Sequence, residues 1–348
     1  MKNRLYDATK IDWDNLMFST KELWMLLIPI MVEQMLNSLM GMADTMMVSN
    51  VGSVAMSAVS LVDSINTLVI QVFAALATGA AIICSHYLGK GDERGANKAA
   101  RQIFLTVIVI SLTITAGGLI FCRPLLRLIF GAVEPAVMED SIIYFLITAS
   151  SYPFIALFNA GGAFYRAGGN SKFPMQISII SNVLNIIGNA VLIFGCDMGV
   201  AGAAISTLVS RVFCAIVVLF FLRKPKQKIV LDQYHTIRPD FPLIGKILAI
   251  GIPAGVENGM FQFGKLAIQS TVSTLGTQAI AAQAMTVIFE NVNGIAAIAV
   301  GIGLMTVAGQ AFGAGRKEEA KYYIIKLTGY AEIVLIISCA VTFLISRP

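Results

Sequence analysis

Nine apolar runs decide what this chain can fold into. They lie near 24–47, 53–84, 103–122, 141–165, 174–195, 200–222, 243–272, 279–309 and 323–346. Each is long enough to cross the roughly 30 Å hydrocarbon core of a bilayer. The totals agree. Charged residues make up 13% of the chain, against about 25% in a soluble domain, and the mean hydropathy is +0.78. The expected class is an all-α polytopic membrane protein with about nine transmembrane helices. The net charge of +5 is no nucleic-acid footprint, because its basic residues sit between apolar runs.

Those basic residues orient the chain. With the amino terminus in the cytoplasm, inside segments hold twenty Lys and Arg and outside segments hold Arg123, Arg127 and Arg347. Arg211 and Lys265 fall within spans. This bias follows the positive-inside rule and predicts a multi-pass protein of the plasma membrane with a cytoplasmic amino terminus. The five cysteines, Cys84, Cys122, Cys196, Cys214 and Cys339, show no metal or redox spacing and read as packing residues.

Acidic residues inside the apolar runs come next. The stretch from Pro29 to Asp44 carries Glu33, Gln34, Asn37 and Asp44. Glu33, Asn37, Met40, Gly41 and Asp44 recur at helical spacing and share a face. A charge at the centre of a membrane helix costs about 2.5–3.5 kcal/mol, and a protein-lined wet cavity removes most of that cost. The P-x-x-x-E phrase returns 224 positions later, as Pro253 and Glu257. The same offset pairs Gly79 with Gly303, Gly89 with Gly313, Gly91 with Gly315 and Ala96 with Ala320. The phrases LGKGDERGA (88–96) and FGAGRKEEA (312–320) close equivalent runs. Six spans separate the copies, so the halves are parallel repeats with a site between them. The expected layout is a cytoplasmic segment (1–23), a six-helix lobe (24–222), a cytoplasmic linker (223–242) and a three-helix partial lobe (243–348). Three further spans of the second half would fall beyond Pro348, which reads as a fragment.

Glu257, four residues after a helix-loosening proline, is a candidate cation or proton carrier; its structural alternative is a partner for Lys265. Asp44 and Glu33 are candidates in the first half. Asn182, Asn185 and Asn189 form one polar face, as ion contacts or as helix–helix glue. Asp63, Asn66, Glu290, Asn291 and Asn293 read as cavity lining or interhelical hydrogen bonds, and Arg211 as a partner for a carboxylate. The candidate substrate cavity comprises Glu33, Gln34, Asn37, Met40, Asn182, Met260, Phe261 and Gln283. The abundant methionines suit an adaptable cavity, although core filling is the simpler account of them. No P-loop or H-E-x-x-H is present, and the chain is read as a transporter rather than an enzyme.

At these residues the chain resembles the multidrug and toxic compound extrusion (MATE) transporters. The carriers are Pro29 to Gln34 with GMADTMMVS (41–49), LGKGD (88–92), PAGVENGMFQFGK (253–265) and GQAFGAG (309–315). The resemblance implies a two-lobe helix bundle of the multidrug/oligosaccharidyl-lipid/polysaccharide flippase superfamily. It implies a monomeric antiporter that exports cationic or amphipathic compounds against sodium ions or protons, with no other cofactor. It puts Asp44, Asn185, Asn189 and Thr207 at an amino-lobe cation site and Glu257 at a carboxy-lobe one, with Na+ at Asp44 or Glu257. Asn189 stands where several relatives carry aspartate. The alternative within the superfamily is a lipid-linked precursor flippase, but the intramembrane charges here are mostly acidic.

Overall fold

The computed structural model describes residues 6–130, 134–225, 227–231, 238–273 and 277–345; within these, side chains are not described at 266, 269, 270, 272, 273, 277–285, 287–289, 292 and 345. All regular structure among the described residues is helical. The helices are α1 (Thr20–Ser49), α2 (Ser53–Gly89), α3 (Glu93–Ile120), α4 (Cys122–Phe130), α5 (Pro135–Ser150), α6 (Tyr152–Ala167), α7 (Lys172–Asn189), α8 (Gly199–Leu222), α9 (Phe241–Ser273), α10 (Thr277–Gly313) and α11 (Lys317–Ile345).

Local chemistry sets the boundaries. Ser19 and Glu22 form a reciprocal capping box at the start of α1. Pro153 follows the break at Ser151, in the first turn of α6, where a backbone N–H would find no helical acceptor, and α5 and α6 meet there at 42°. The run expected as one span at 141–165 is therefore a broken one. Seven helices are long and apolar enough to cross a membrane, or eight with this bent pair counted as one span. The run expected at 243–272 is helical as well, as α9. It is 33 residues long, but Glu257, Asn258, Gln262 and Lys265 dilute its apolar surface.

The repeat is written into the backbone. α2 and α10 are both 37 residues long, and their ends are offset by 224. Around the following turns, Lys90 N donates to His86 O as Ala314 N does to Gln310 O; Gly91 N donates to Leu88 O as Gly315 N does to Phe312 O. Asp92 N donates to Tyr87 O as Arg316 N does to Ala311 O. Gly91 (φ +74°) and Gly315 (φ +79°) both adopt the left-handed conformation that favours glycine.

The halves exchange helices. Gly79 on α2 faces the backbone of Ile247 and Gly251 on α9, while its counterpart Gly303 on α10 faces Leu26 and Leu27 on α1. Leu27 and Gly251 are themselves 224 apart. The first turns of α1 consequently bury Leu23, Leu26, Leu27 and Ile30 against α10 and α11. The segment before α1 also docks on α11: Met17 N donates to Glu319 Oε1 (2.6 Å) and Phe18 N to Tyr323 Oη (2.8 Å). The connection after Arg223 is tied down as well. Lys98 Nζ lies 2.6 Å from Asp240 Oδ2, Gln102 Nε2 donates to Arg238 O, and Ile229 and Leu231 are buried.

Candidate functional site

The two halves touch at one end and part at the other. Where α2 and α10 finish, a Cβ on Gly89 would collide with the backbone of Gln310, and one on Gly313 with the carbonyl of His86. Gly309 meets Ser85, and Gln310 Nε2 donates to the Ala167 carbonyl of α6 (2.6 Å). These contacts close the gap between α2 and α10 there, beside a cavity of about 710 Å³ that α9 and α11 also line, with His86, Lys90 and Lys246 on its wall. Toward the opposite end lies a cleft of about 650 Å³ between α1 and α2 on one side and α9 and α10 on the other. A second cavity of about 450 Å³ continues it along α1, lined by Asn37, Gly41, Thr45 and Asn291 among others. Asn37 thus reaches the cleft, as expected of it.

The expected single polar face on α1 is divided. α1 is wedged between α7 and α10, so residues a little apart around its circumference meet different surroundings. Asn37 and Gly41 turn to the cleft, whereas Glu33 and Asp44 turn into the first lobe. Gln34 and Met40 are half-buried.

Asp44 is the centre of the inward cluster. Its Oδ1 accepts from Asn189 Nδ2 on α7. Asn189 Nδ2 also reaches Asn185 Oδ1 (3.4 Å), Asn185 Nδ2 donates to Thr207 Oγ1 on α8 (3.3 Å), and Ser206 Oγ donates to the Asn185 carbonyl (2.8 Å). Helical spacing on α7 stacks the two asparagines, and the close α7–α8 pairing at Gly188 and Ser206 delivers Thr207. Asn185, Asn189 and Thr207 are buried. Asn189 Oδ1 is buried without a hydrogen-bond donor, and such an atom is stabilised by a cation or a bound water. The cluster combines one carboxylate with neutral amide and hydroxyl oxygens, which is the donor chemistry of hard cations. Among the described residues no group of three His, Cys, Asp or Glu converges. Any ion held here is therefore held largely by neutral oxygens.

A second network lies alongside. Asp63 Oδ1 accepts from Asn66 Nδ2 (3.1 Å) and Tyr144 Oη (3.2 Å), and Tyr152 Oη donates to Asn66 Oδ1 (2.7 Å). Asp63 also lines the large cleft. It therefore connects the first lobe's polar interior to the space between the halves. Arg211 donates to Ser151 Oγ (2.7 Å) and makes no ion pair among those observed, which corrects its expected pairing with a carboxylate. The tyrosines of this network were missed in the sequence. Their only signal was that they follow intramembrane polar residues of other helices, which spacing cannot reveal.

Two expectations for the cavity lining, Glu33 and Asn182, are corrected. Glu33 does not line the cleft: its carboxylate is paired with Arg166 Nη1 at 3.2 Å, with the two side chains 6% and 11% exposed. Arg166, one residue past the run expected at 141–165, is buried in the last turn of α6. Each side chain supplies the counter-charge without which burial of the other would be costly. Asn182 is buried too, and its amide donates to Ser178 O one turn earlier (2.8 Å). Lys265 pairs with Glu290 (2.8 Å), not with Glu257.

Glu257, Met260 and Phe261 are exposed on α9, and Glu257 is not brought together with the Asp44 cluster. Gln283 lies on α10, with its side chain outside the described residues.

Comparison with known proteins adds to this geometry. The MatE family model matches residues 29–191 and 253–348. The two matches begin at Pro29 and Pro253, the repeat-related prolines. The "Uncharacterized transporter YisQ" of Bacillus subtilis is 30% identical over 272 residues, 77% of this chain and 59% of that protein. The "Probable multidrug resistance protein NorM" of Thermotoga maritima is 28% identical over 307 residues, 86% of this chain and 64% of that protein. The chain spans about three fifths of the length of these relatives. A solved outward-facing conformation of a multidrug resistance MATE family transporter superimposes with a TM-score of 0.87 at 22% identity, covering 93% of this chain and 72% of the other. This last likeness establishes the fold: a two-lobe helical membrane bundle.

Proposed function

The chain belongs to the MatE family, and on that premise we propose that it carries out cation-coupled multidrug efflux. Cationic and amphipathic small molecules leave the cell by this route while sodium ions or protons enter. The chain works as a multi-pass protein of the plasma membrane with its amino terminus in the cytoplasm, as a monomer and without enzymatic chemistry. The names of its relatives support the export reading: several are described as multidrug resistance or multidrug export proteins.

The observation that carries the reading is the Asp44 cluster beside an inter-half cleft closed at one end. A cation entering the first lobe meets the Asp44 carboxylate, the unpartnered Asn189 Oδ1, Asn185 Oδ1 and Thr207 Oγ1. Its binding draws α7 and α8 toward α1. Because α1 also packs on α10, tightening there is passed to the other half. One charge crossing 100 mV supplies about 2.3 kcal/mol, enough to drive a substantial concentration ratio.

The test is transport by the chain reconstituted in proteoliposomes loaded with a fluorescent cationic dye. A sodium gradient and a proton gradient are imposed separately. Efflux should follow at least one gradient, and Asp44→Asn should abolish the dependence. Dye movement that ignores both gradients would rule the coupling out. Glu257→Gln tests the second carrier: unchanged ion-driven efflux in that variant would remove Glu257 from the mechanism.

A further inference from the structure

Within about one turn, α1 passes from one half to the other. Up to Ile30 it shares a core with α10 and α11. From Glu33 onward the first half holds it, by Glu33 on Arg166 of α6 and by Asp44 on Asn189 of α7. Pro29 lies at the change-over, where a missing backbone donor loosens the helix. Arg166 Nη1 donates to both Glu33 oxygens, at 3.3 and 3.2 Å. The backbone makes room for it: a Cβ on Gly162, one turn earlier on α6, would lie 3.2 Å from that nitrogen. Arg166 Nε is buried without an acceptor. Stability alone does not account for this pair, because well-packed apolar residues of like volume would serve as well.

The next residue along α6 is committed to the other half. The Ala167 carbonyl accepts from Gln310 Nε2 of α10 at 2.6 Å, and both residues are buried. The last turn of α6 therefore holds α1 with one residue and α10 with its neighbour.

We propose that Arg166 couples the contact between the halves to the Asp44 cluster, as a positioning residue that touches neither ion nor substrate. When Gln310 leaves Ala167, the end of α6 is released from α10 and moves with the first half alone. Arg166 carries Glu33 with it. The part of α1 beyond Pro29 turns about that point, and Asp44, about 16 Å further along the helix, shifts against Asn189, Asn185 and Thr207. The reverse follows by linkage: a cation that draws Asp44 onto those oxygens biases the α6–α10 contact by the same factor. The proposal rests on the export reading above and adds the route by which ion binding reaches the closure.

A mutant cycle on ion-driven dye efflux in proteoliposomes tests this. The quantity read is the driving-ion concentration that gives half-maximal efflux. Gln310→Ala lies outside the ion cluster, yet it should shift that concentration about fivefold or more. In the background Glu33→Leu, Arg166→Met, where the link is cut without stranding a charge, Gln310→Ala should shift it no further. Arg166→Lys keeps a cation on Glu33 and should preserve the response to Gln310→Ala. Should the double background fail to fold, Gly162→Ala, which crowds Arg166 Nη1, takes its place and should blunt the same response. An equal shift in linked and unlinked backgrounds overturns the proposal, and so does no shift from Gln310→Ala in the wild-type chain; either leaves the export reading intact. Wild-type dye movement that ignores both ion gradients removes the two together.

Discussion

Glu33 and Arg166 show how one buried contact can be costly to break and cheap to replace. Both side chains are nearly excluded from solvent, and each is the other's counter-charge. Arg166→Met leaves a carboxylate stranded in the lobe and should destabilise the protein by about 3–5 kcal/mol. The double variant Glu33→Leu, Arg166→Met strands nothing and should recover most of that loss. Thermal unfolding of both variants in the same detergent checks the difference; equal losses would mean that the pair is not mutually compensating. Asn189 poses the complementary question. It occupies the centre of the Asp44 cluster with one oxygen unpartnered. Asn189→Asp adds a second carboxylate against Asp44, and like charges at this range keep one of them protonated. Ion-driven dye efflux by this variant should therefore shift toward proton dependence, read as a changed ratio of proton-driven to sodium-driven rates.

Among the elements, α2 and α10 carry the closure. Their last turns approach so closely at Gly89 and Gly313 that no Cβ fits against the facing carbonyls. Gly313→Ala must push the helices apart, because backbone cannot rotate aside as a side chain can. A cysteine placed at Ser85, which is fully buried and packs on Gly309, should then react faster with a water-soluble thiol reagent by tenfold or more. An unchanged rate would mean that the closure does not depend on this approach. The connection into α9 is held by electrostatics. The hydrogen bond from Lys98 holds the Asp240 carboxyl below its usual range. A depressed pKa contributes stability that is present above about pH 3.9 and lost as pH falls through the lower folded value. Asp240→Asn should reproduce that loss at neutral pH. Amide exchange at Val230, whose N–H donates to Asn97 next to Lys98, should quicken while α3 itself stays protected.

For the whole molecule, the division into lobes is less clean than a cut in the chain between 222 and 243. α1 belongs to the first half by repeat, yet its opening turns share a core with α10 and α11. α9 packs in turn on α2. A rocking motion of the halves must therefore carry α1 and α9 with the opposite partner, or bend them. Pro29 and Pro253 lie inside these two helices, where a missing backbone donor loosens the ladder. Replacing both with alanine should stiffen the exchanged helices and slow dye efflux several-fold without weakening dye binding. A loss of binding with unchanged turnover would point instead to a role in shaping the cleft.

What could be read from the residues alone was whatever repeats or costs energy locally. Spans follow from apolar length, and the repeat follows from matched glycines at a constant offset. Asp44, Asn185 and Asn189 follow from the expense of polar groups in hydrocarbon and the resemblance those residues carry. Helical period, however, locates a residue only to within a broad face. Whether Glu33 met a wet cleft or Arg166, and whether Lys265 met Glu257 or Glu290, depended on which helix lay opposite. That is a matter of how two halves exchange α1 and α9, and no spacing along one strand of sequence encodes it. The sequence determined a duplicated helical membrane protein with acids held inside it; the tertiary structure alone decided which of them are spent on ion pairs and which face the space between the halves, because partner choice is a property of packing.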